Sequence, residues 1–163
     1  MISQKVLQWR SLATYWAERT SVPEAFILAI IQMESGGNPK AKRYEPEYQR
    51  KYFASAKFEE IQRVARISPQ EVATSYGLMQ LMPMTAWGYL STVDKSPSLI
   101  TALLDPSKNI RYASAHIATL AKKNRGNLQY AARDYNGTGQ KAESYGLKAI
   151  TLYEEYARYL QED

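Results

Sequence analysis

The sequence predicts a mainly α chain folded as one globular domain, and three observations predict it. Apolar residues recur at three- and four-residue spacing along most of the chain. Helix start and stop signals punctuate that pattern at regular intervals. With 163 residues, 45% of them apolar and 23% charged, the chain suits one hydrophobic core rather than two.

Val6, Leu7, Trp9, Leu12, Ala13 and Trp16 are spaced as one broad face of a first helix. Ser21-Val22-Pro23-Glu24 reads as a capping box for a second, running through Ala25, Phe26, Ile27, Ile30 and Ile31 to about Ser35. Gly36-Gly37 and Pro39 stop it. Residues 40–67 are charged and tyrosine-rich with weak periodicity, and helix is expected only from about Phe53. Ser68-Pro69-Gln70-Glu71 is another capping box. Tyr76-Gly77 breaks the chain, and Pro83 opens a helix over MTAWGYL. Asp105-Pro106 caps a longer helix with Ile110, Ala113, Ile117, Leu120 and Ala121 inward, ended by Gly126. Asn127 caps a short helix, Asn136-Gly137-Thr138-Gly139 makes a turn, and a last helix runs from about Leu147 to Leu160. No repeat, low-complexity tract or linker interrupts this order.

The composition excludes whole chemistries. Cysteine is absent and histidine occurs once, at His116. Thiol nucleophiles, disulfides and thiolate metal sites are ruled out, and one histidine cannot build a multi-histidine zinc site. No Gly-x-Ser-x-Gly elbow supports a serine triad. No metal and no cofactor are expected. The net charge of +5 suits an anionic partner such as nucleic acid, a membrane surface or a bacterial wall, and equally suits plain solubility. The first eighteen residues are broken by Gln4, Lys5, Gln8 and Arg10, so no secretion signal is expected, and no apolar run is long enough to span a bilayer.

Glu34 is the most unusual residue. Ile27, Ile30 and Ile31 precede it by seven, four and three positions, which sets it on the apolar face. It also falls in the last helical turn, where the dipole disfavours a carboxylate. Burial and dipole both favour the protonated carboxyl that a general acid needs. The bland alternative is a helix-end glutamate turned to solvent beside Gly36-Gly37.

Here the chain resembles a known family. Ile27 to Pro39 (ILAIIQMESGGNP) resembles the catalytic "ES" segment of the soluble lytic transglycosylases, lysozyme-like enzymes that cut peptidoglycan glycan strands. Ser75 to Pro83 (SYGLMQLMP) resembles the family's "GLMQ" segment, Leu104 to Ile110 its "DP..NI" helix start, and Ala132 to Gly137 its "AYN.G" segment. Four segments in order carry far more weight than any one. The resemblance implies a lysozyme-like fold of the goose-type lysozyme kind. It implies cleavage of the β-1,4 bond between N-acetylmuramic acid and N-acetylglucosamine with a 1,6-anhydromuramic product. Glu34 becomes the single catalytic acid/base. Ser35, Met79, Gln80, Tyr135 and Asn136 become substrate-binding residues. The family also places a tyrosine of the final helix near the glutamate; Tyr153 and Tyr156 compete for that place, and Tyr153 is favoured. The implied partner is the glycan strand, met by a monomer with no nucleic acid and no stable membrane insertion. Its action would be on periplasmic or wall peptidoglycan after synthesis in the cytoplasm, as a phage lysin or virion-borne enzyme.

Two features depart from the family. The stretch from about 42 to 72 is an insertion, and its start, Arg43-Tyr44-Glu45-Pro46, is similar to phage-encoded members. Glu45 in it would supply a second carboxylate and so a hydrolytic, muramidase outcome; a surface glutamate in a basic loop is the favoured reading. Tyr44, Tyr48 and Tyr52 cluster there and are expected to wall or extend the sugar cleft. Asp134 replaces the family's small apolar residue and is expected to face solvent beside Arg133. A helical DNA-binding module is the rival from another class; it requires a basic stripe along one exposed helix, and Lys108, Arg111, Lys122 and Lys123 are scattered instead. A wall-binding module without catalysis is disfavoured by Glu34 itself.

Overall fold

The computed structural model describes residues 1–163. Its elements in order are α1 (Gln4–Leu7), α2 (Arg10–Thr20), α3 (Glu24–Ser35), β1 (Lys42–Tyr44), α4 (Pro46–Tyr52), α5 (Ala56–Ala65), α6 (Pro69–Val72), β2 (Thr74–Tyr76), α7 (Pro83–Ala86), α8 (Leu99–Leu104), α9 (Pro106–Lys123), α10 (Leu128–Asn136) and α11 (Gln140–Glu162). The fold is mainly α, as the sequence predicts. The chain forms two compact units, one of Met1–Gly37 with Ser114–Asp163, the other of Asn38–Ala113. No helix is long and apolar enough to cross a membrane.

The first unit is built on α3. Ala25 to Ile31 is buried without a break, so this helix is apolar all round and forms the centre of its unit. α2 and α11 pack against it, and α10 packs on α11. Phe26 meets Tyr153 edge-on with ring centroids 5.8 Å apart. Glu34 meets Tyr145. The two contacts lie eight residues apart on both helices, about 12 Å, and in opposite order, so α3 and α11 run antiparallel.

Local signals explain most boundaries, but α4 forms before the expected start at Phe53, α7 stops at Ala86 short of Leu90, α8 was not expected, and three further boundaries differ for a visible reason. The first helix is interrupted at Gln8 and Trp9, where the Trp9 indole leaves the helical path and its Nε1 donates to the Gly37 carbonyl at 2.9 Å. The Ser21 capping box does not form: Ser21 takes the left-handed conformation (φ 63°) that ends α2, and Pro23 stands at the N-cap of α3. The last helix starts at Gln140, seven residues before the expected Leu147. Gly146 reads as a breaker but is interior, because a Cβ there would sit 2.6 Å from the Gln129 carbonyl; only glycine lets α10 and α11 come this close. The Ser68 capping box forms in full, with Ser68 and Glu71 each bonding the other's backbone N–H.

In the second unit a short antiparallel ladder, not expected from sequence, pairs Lys42 with Tyr76, Arg43 with Ser75 and Tyr44 with Thr74. It pins the two ends of the segment between them together. Between them α4, α5 and α6 form a small helical excursion anchored by Phe58, Ile61, Ala65 and Val72, all buried. Asp94 is buried deeper in this unit, bonded by the Tyr112 hydroxyl and by Lys108 Nζ at 2.9 Å.

Candidate active site

Glu34 stands in the last turn of α3, before Gly36 closes the helix in the left-handed conformation (φ 61°). Its side chain is half-buried, not swung out to solvent. The Tyr145 hydroxyl donates to Glu34 Oε1 at 2.7 Å. Burial, then the nearby Glu34 carboxylate and Tyr135, push the Tyr145 phenol well above its usual range, so it stays a proton donor. Tyr135, in the last turn of α10, is raised likewise by burial first and the charge of Glu34 second. One carboxyl is therefore set against two phenols that resist ionisation.

The tyrosine of the final helix that meets Glu34 is thus Tyr145, which sequence reading missed. Tyr153 lies two turns further on and packs on Phe26. Tyr156 is buried and bonds Gln32 Oε1 through its hydroxyl, which also accepts from the Ser3 N–H at 3.2 Å. The signal that would have found Tyr145 is its place one residue before Gly146, once that glycine is taken as a packing residue instead of a stop.

Ser35 is half-buried and serves the helix end: its Oγ donates to the Ile31 carbonyl at 3.3 Å and accepts from the Gly37 N–H at 3.2 Å. Asn136 is exposed and closes α10. His116, on the half of α9 in this unit, stacks at a tilt on Tyr135 with centroids 5.9 Å apart, and burial holds its imidazole below the usual range. It is therefore a neighbour of the site. Asp134 does not face open solvent. It accepts from Asn124 Nδ2 and Arg133 Nε, both at 2.9 Å, with Lys123 at 3.8 Å. The Asn124 amide first, then the Arg133 guanidinium, outweigh partial burial and hold its carboxyl below the usual range. It clamps the end of α9 to α10.

Met79 and Gln80 belong to the second unit. Met79, expected to line a groove, is fully buried, so its side chain belongs to the core. Its N–H donates to Asn109 Oδ1 at 2.8 Å, while Asn109 Nδ2 donates to the Tyr76 and Leu103 carbonyls, each at 2.8 Å. This buried amide fixes the Gly77–Gln80 turn. Gly77 (φ 80°) is required there, since a Cβ would lie 2.5 Å from Asn109 Nδ2. Gln80 is half-buried in the left-handed conformation (φ 50°), accepting from Ser75 Oγ at 2.8 Å and donating to the Gly77 and Ala41 carbonyls at 2.9 and 3.1 Å. Glu45 is paired with Arg43 at 3.0 Å on the surface of the second unit.

The fold is mainly helical and sets a half-buried glutamate at a helix end beside two tyrosines. The transglycosylase SLT domain model matches residues 11–153, and the chain belongs to that family. Among solved structures it is similar to an inactive glutamate-to-glutamine mutant of the lytic transglycosylase Slt from Pseudomonas aeruginosa, with a TM-score of 0.64 and 18% sequence identity. The similarity covers 93% of this chain and 24% of that one, so the chain spans about a quarter of that enzyme's length. It shows a shared, lysozyme-like fold. No curated protein matches the chain in sequence.

Proposed function

We propose that this protein is a peptidoglycan lytic transglycosylase with Glu34 as its single acid/base. The observation that carries this reading is the half-buried Glu34 carboxyl, held through one oxygen by Tyr145. The Tyr145 O–H, kept protonated, orients at Oε1 a carboxyl whose own proton is the one transferred. Glu34 first gives that proton to the glycosidic oxygen as the bond to C1 of N-acetylmuramic acid breaks. The sugar's own 6-hydroxyl then bonds to C1 and returns its proton to Glu34. The product is a 1,6-anhydromuramic end and no water is consumed. Inactivity of the Pseudomonas glutamate-to-glutamine mutant supports a glutamate in this role.

Tyr135 walls the carboxyl, and Ser35 and Asn136 shape the ends of their own helices; in the second unit Met79 and Gln80 shape their own turn. All 163 residues are taken as one catalytic domain carrying the 42–72 insertion. The likeness of Arg43-Tyr44-Glu45-Pro46 to phage-encoded members supports a lytic role on wall peptidoglycan in phage release. Digestion of purified peptidoglycan followed by mass analysis tests the reading. Muropeptides lighter by one water are expected from the unsubstituted protein and none from Glu34→Gln. Ordinary reducing ends would mean hydrolysis, and undiminished release by Glu34→Gln would remove Glu34 from the chemistry.

A further inference from the structure

The insertion has a recess of its own that bond cleavage does not use. A groove of about 470 Å³ is lined by Tyr44, Pro46, Gln49, Arg50 and Phe53. Two of these are aromatic and open to solvent, Tyr44 at 44% and Phe53 at 53% exposure. Neither ring is loose. Tyr44 is fixed at its backbone by pairing with Thr74 and at its hydroxyl by donating to Gln49 Oε1 at 2.6 Å. Phe53 packs edge-on against the buried ring of Phe58, centroids 5.8 Å apart. Holding two rings still and wet forgoes their burial, and such surfaces mark recognition sites.

The chemistry of the lining narrows the ligand. A sugar ring offers a flat C–H face to an aromatic side chain and hydroxyl or acetamido groups to a polar rim such as Gln49 and the Tyr44 hydroxyl. Charge narrows it further. Residues 40–66 hold eight Lys or Arg against four Glu, so this segment carries +4 of the chain's +5. Arg50 on the groove wall is exposed, and its surface pairing with Glu47 is easily exchanged for another carboxylate. An N-acetylated sugar that bears carboxylates fits both halves of the lining.

We propose that the insertion groove is an accessory peptidoglycan-binding site, seating a wall sugar on Tyr44 and Phe53 and directing its carboxylate-bearing substituent to Arg50. The inference rests on the proposed activity and adds to it a means of holding the polymer during and between cuts. The aromatic contacts supply the affinity, and Arg50 selects the anionic polymer over a neutral one.

The test uses the full chain with Glu34→Gln, so that the wall is bound without being cut, and co-sedimentation with purified insoluble peptidoglycan. Adding Tyr44→Ala and Phe53→Ala together is expected to raise Kd about tenfold, the scale of losing two aromatic anchors. Arg50→Glu, at an exposed position and with its fold checked by its melting temperature, is expected to weaken binding several-fold at low salt and less at high salt. Lys148→Glu makes the same charge change at an exposed position of α11 and is expected to stay within twofold. Unchanged binding by the groove variants overturns the proposal. So does a groove-dependent dimer, or groove-dependent binding of duplex DNA in place of peptidoglycan. Muropeptide release by the unsubstituted protein is scored separately: its absence overturns the activity, whereas release with normal binding by the groove variants overturns the groove alone.

Discussion

The hydroxyl of Tyr145 on α11 donates to Glu34 Oε1 on α3 at 2.7 Å, joining positions 111 residues apart. The bond orients a carboxyl that the sequence marks only by its place on an apolar face. Burial first, and the charge of Glu34 second, keep the phenol in its protonated, donating form.

Tyr145→Phe removes that bond and keeps the ring. A hydrogen bond to a charged group contributes about 1.5–3 kcal/mol, which corresponds to roughly ten- to a hundredfold in rate. The turnover of peptidoglycan is expected to fall by that factor, with KM little changed, since the phenol acts on the carboxyl and not on the glycan. Steady-state release of muropeptides measures both. An unchanged kcat would leave Tyr145 as a packing residue only.

Asn109→Ala is expected to be among the most destabilising single changes in the chain. The Asn109 amide is fully buried and satisfies three main-chain groups, at Met79, Tyr76 and Leu103. Each buried group left unsatisfied costs about 1–3 kcal/mol, so a loss of about 3 kcal/mol or more is expected. Urea denaturation reads it directly. Asn109→Asp, which keeps the acceptor for the Met79 N–H but loses both donors, is expected to recover little of the loss.

How much of this was legible in the sequence follows a physical line. Glu34 was legible because isoleucines at three, four and seven residues before it fix its face, and Gly36-Gly37 fixes the helix end just after it. The Ser68 capping box was legible because both partners lie within four residues. Tyr145 was not, because the helix that carries it runs through Gly146, and what keeps that glycine helical is the Gln129 carbonyl on another helix. Ser21 misled for a related reason: the same residue type that caps a helix start can end the preceding helix, and α2 claimed it. The Asn109 bridge spans 30 to 33 residues, and the β1–β2 ladder joins Lys42–Tyr44 to Thr74–Tyr76. Local pattern carries no trace of either partner choice.

His116 gives the fold a defined sensitivity to acid. Burial holds its imidazole below the usual 6.5, so the unfolded chain takes up that proton more readily than the folded one. Stability therefore rises with pH through this window: it is complete above about 6.5, falls as pH drops toward the folded value, and levels off below it. Asp134 and Asp94 work in a lower window. At Asp134 the Asn124 amide leads in lowering the carboxyl; at Asp94 burial opposes, and the bonds from Tyr112 and Lys108 outweigh it. Both titrate below the usual 3.8, so the stability they contribute is lost only in stronger acid. The interval between roughly pH 6.5 and 5 thus separates the histidine from these two carboxyls. Replacing it by a side chain that does not titrate, His116→Gln, is expected to flatten the melting temperature across that interval, while the unsubstituted protein loses stability on the same acidification. Thermal melts at matched ionic strength at pH 8, 6.5 and 5 make the comparison. Parallel loss in both proteins would show that the imidazole is not the group that takes up the proton.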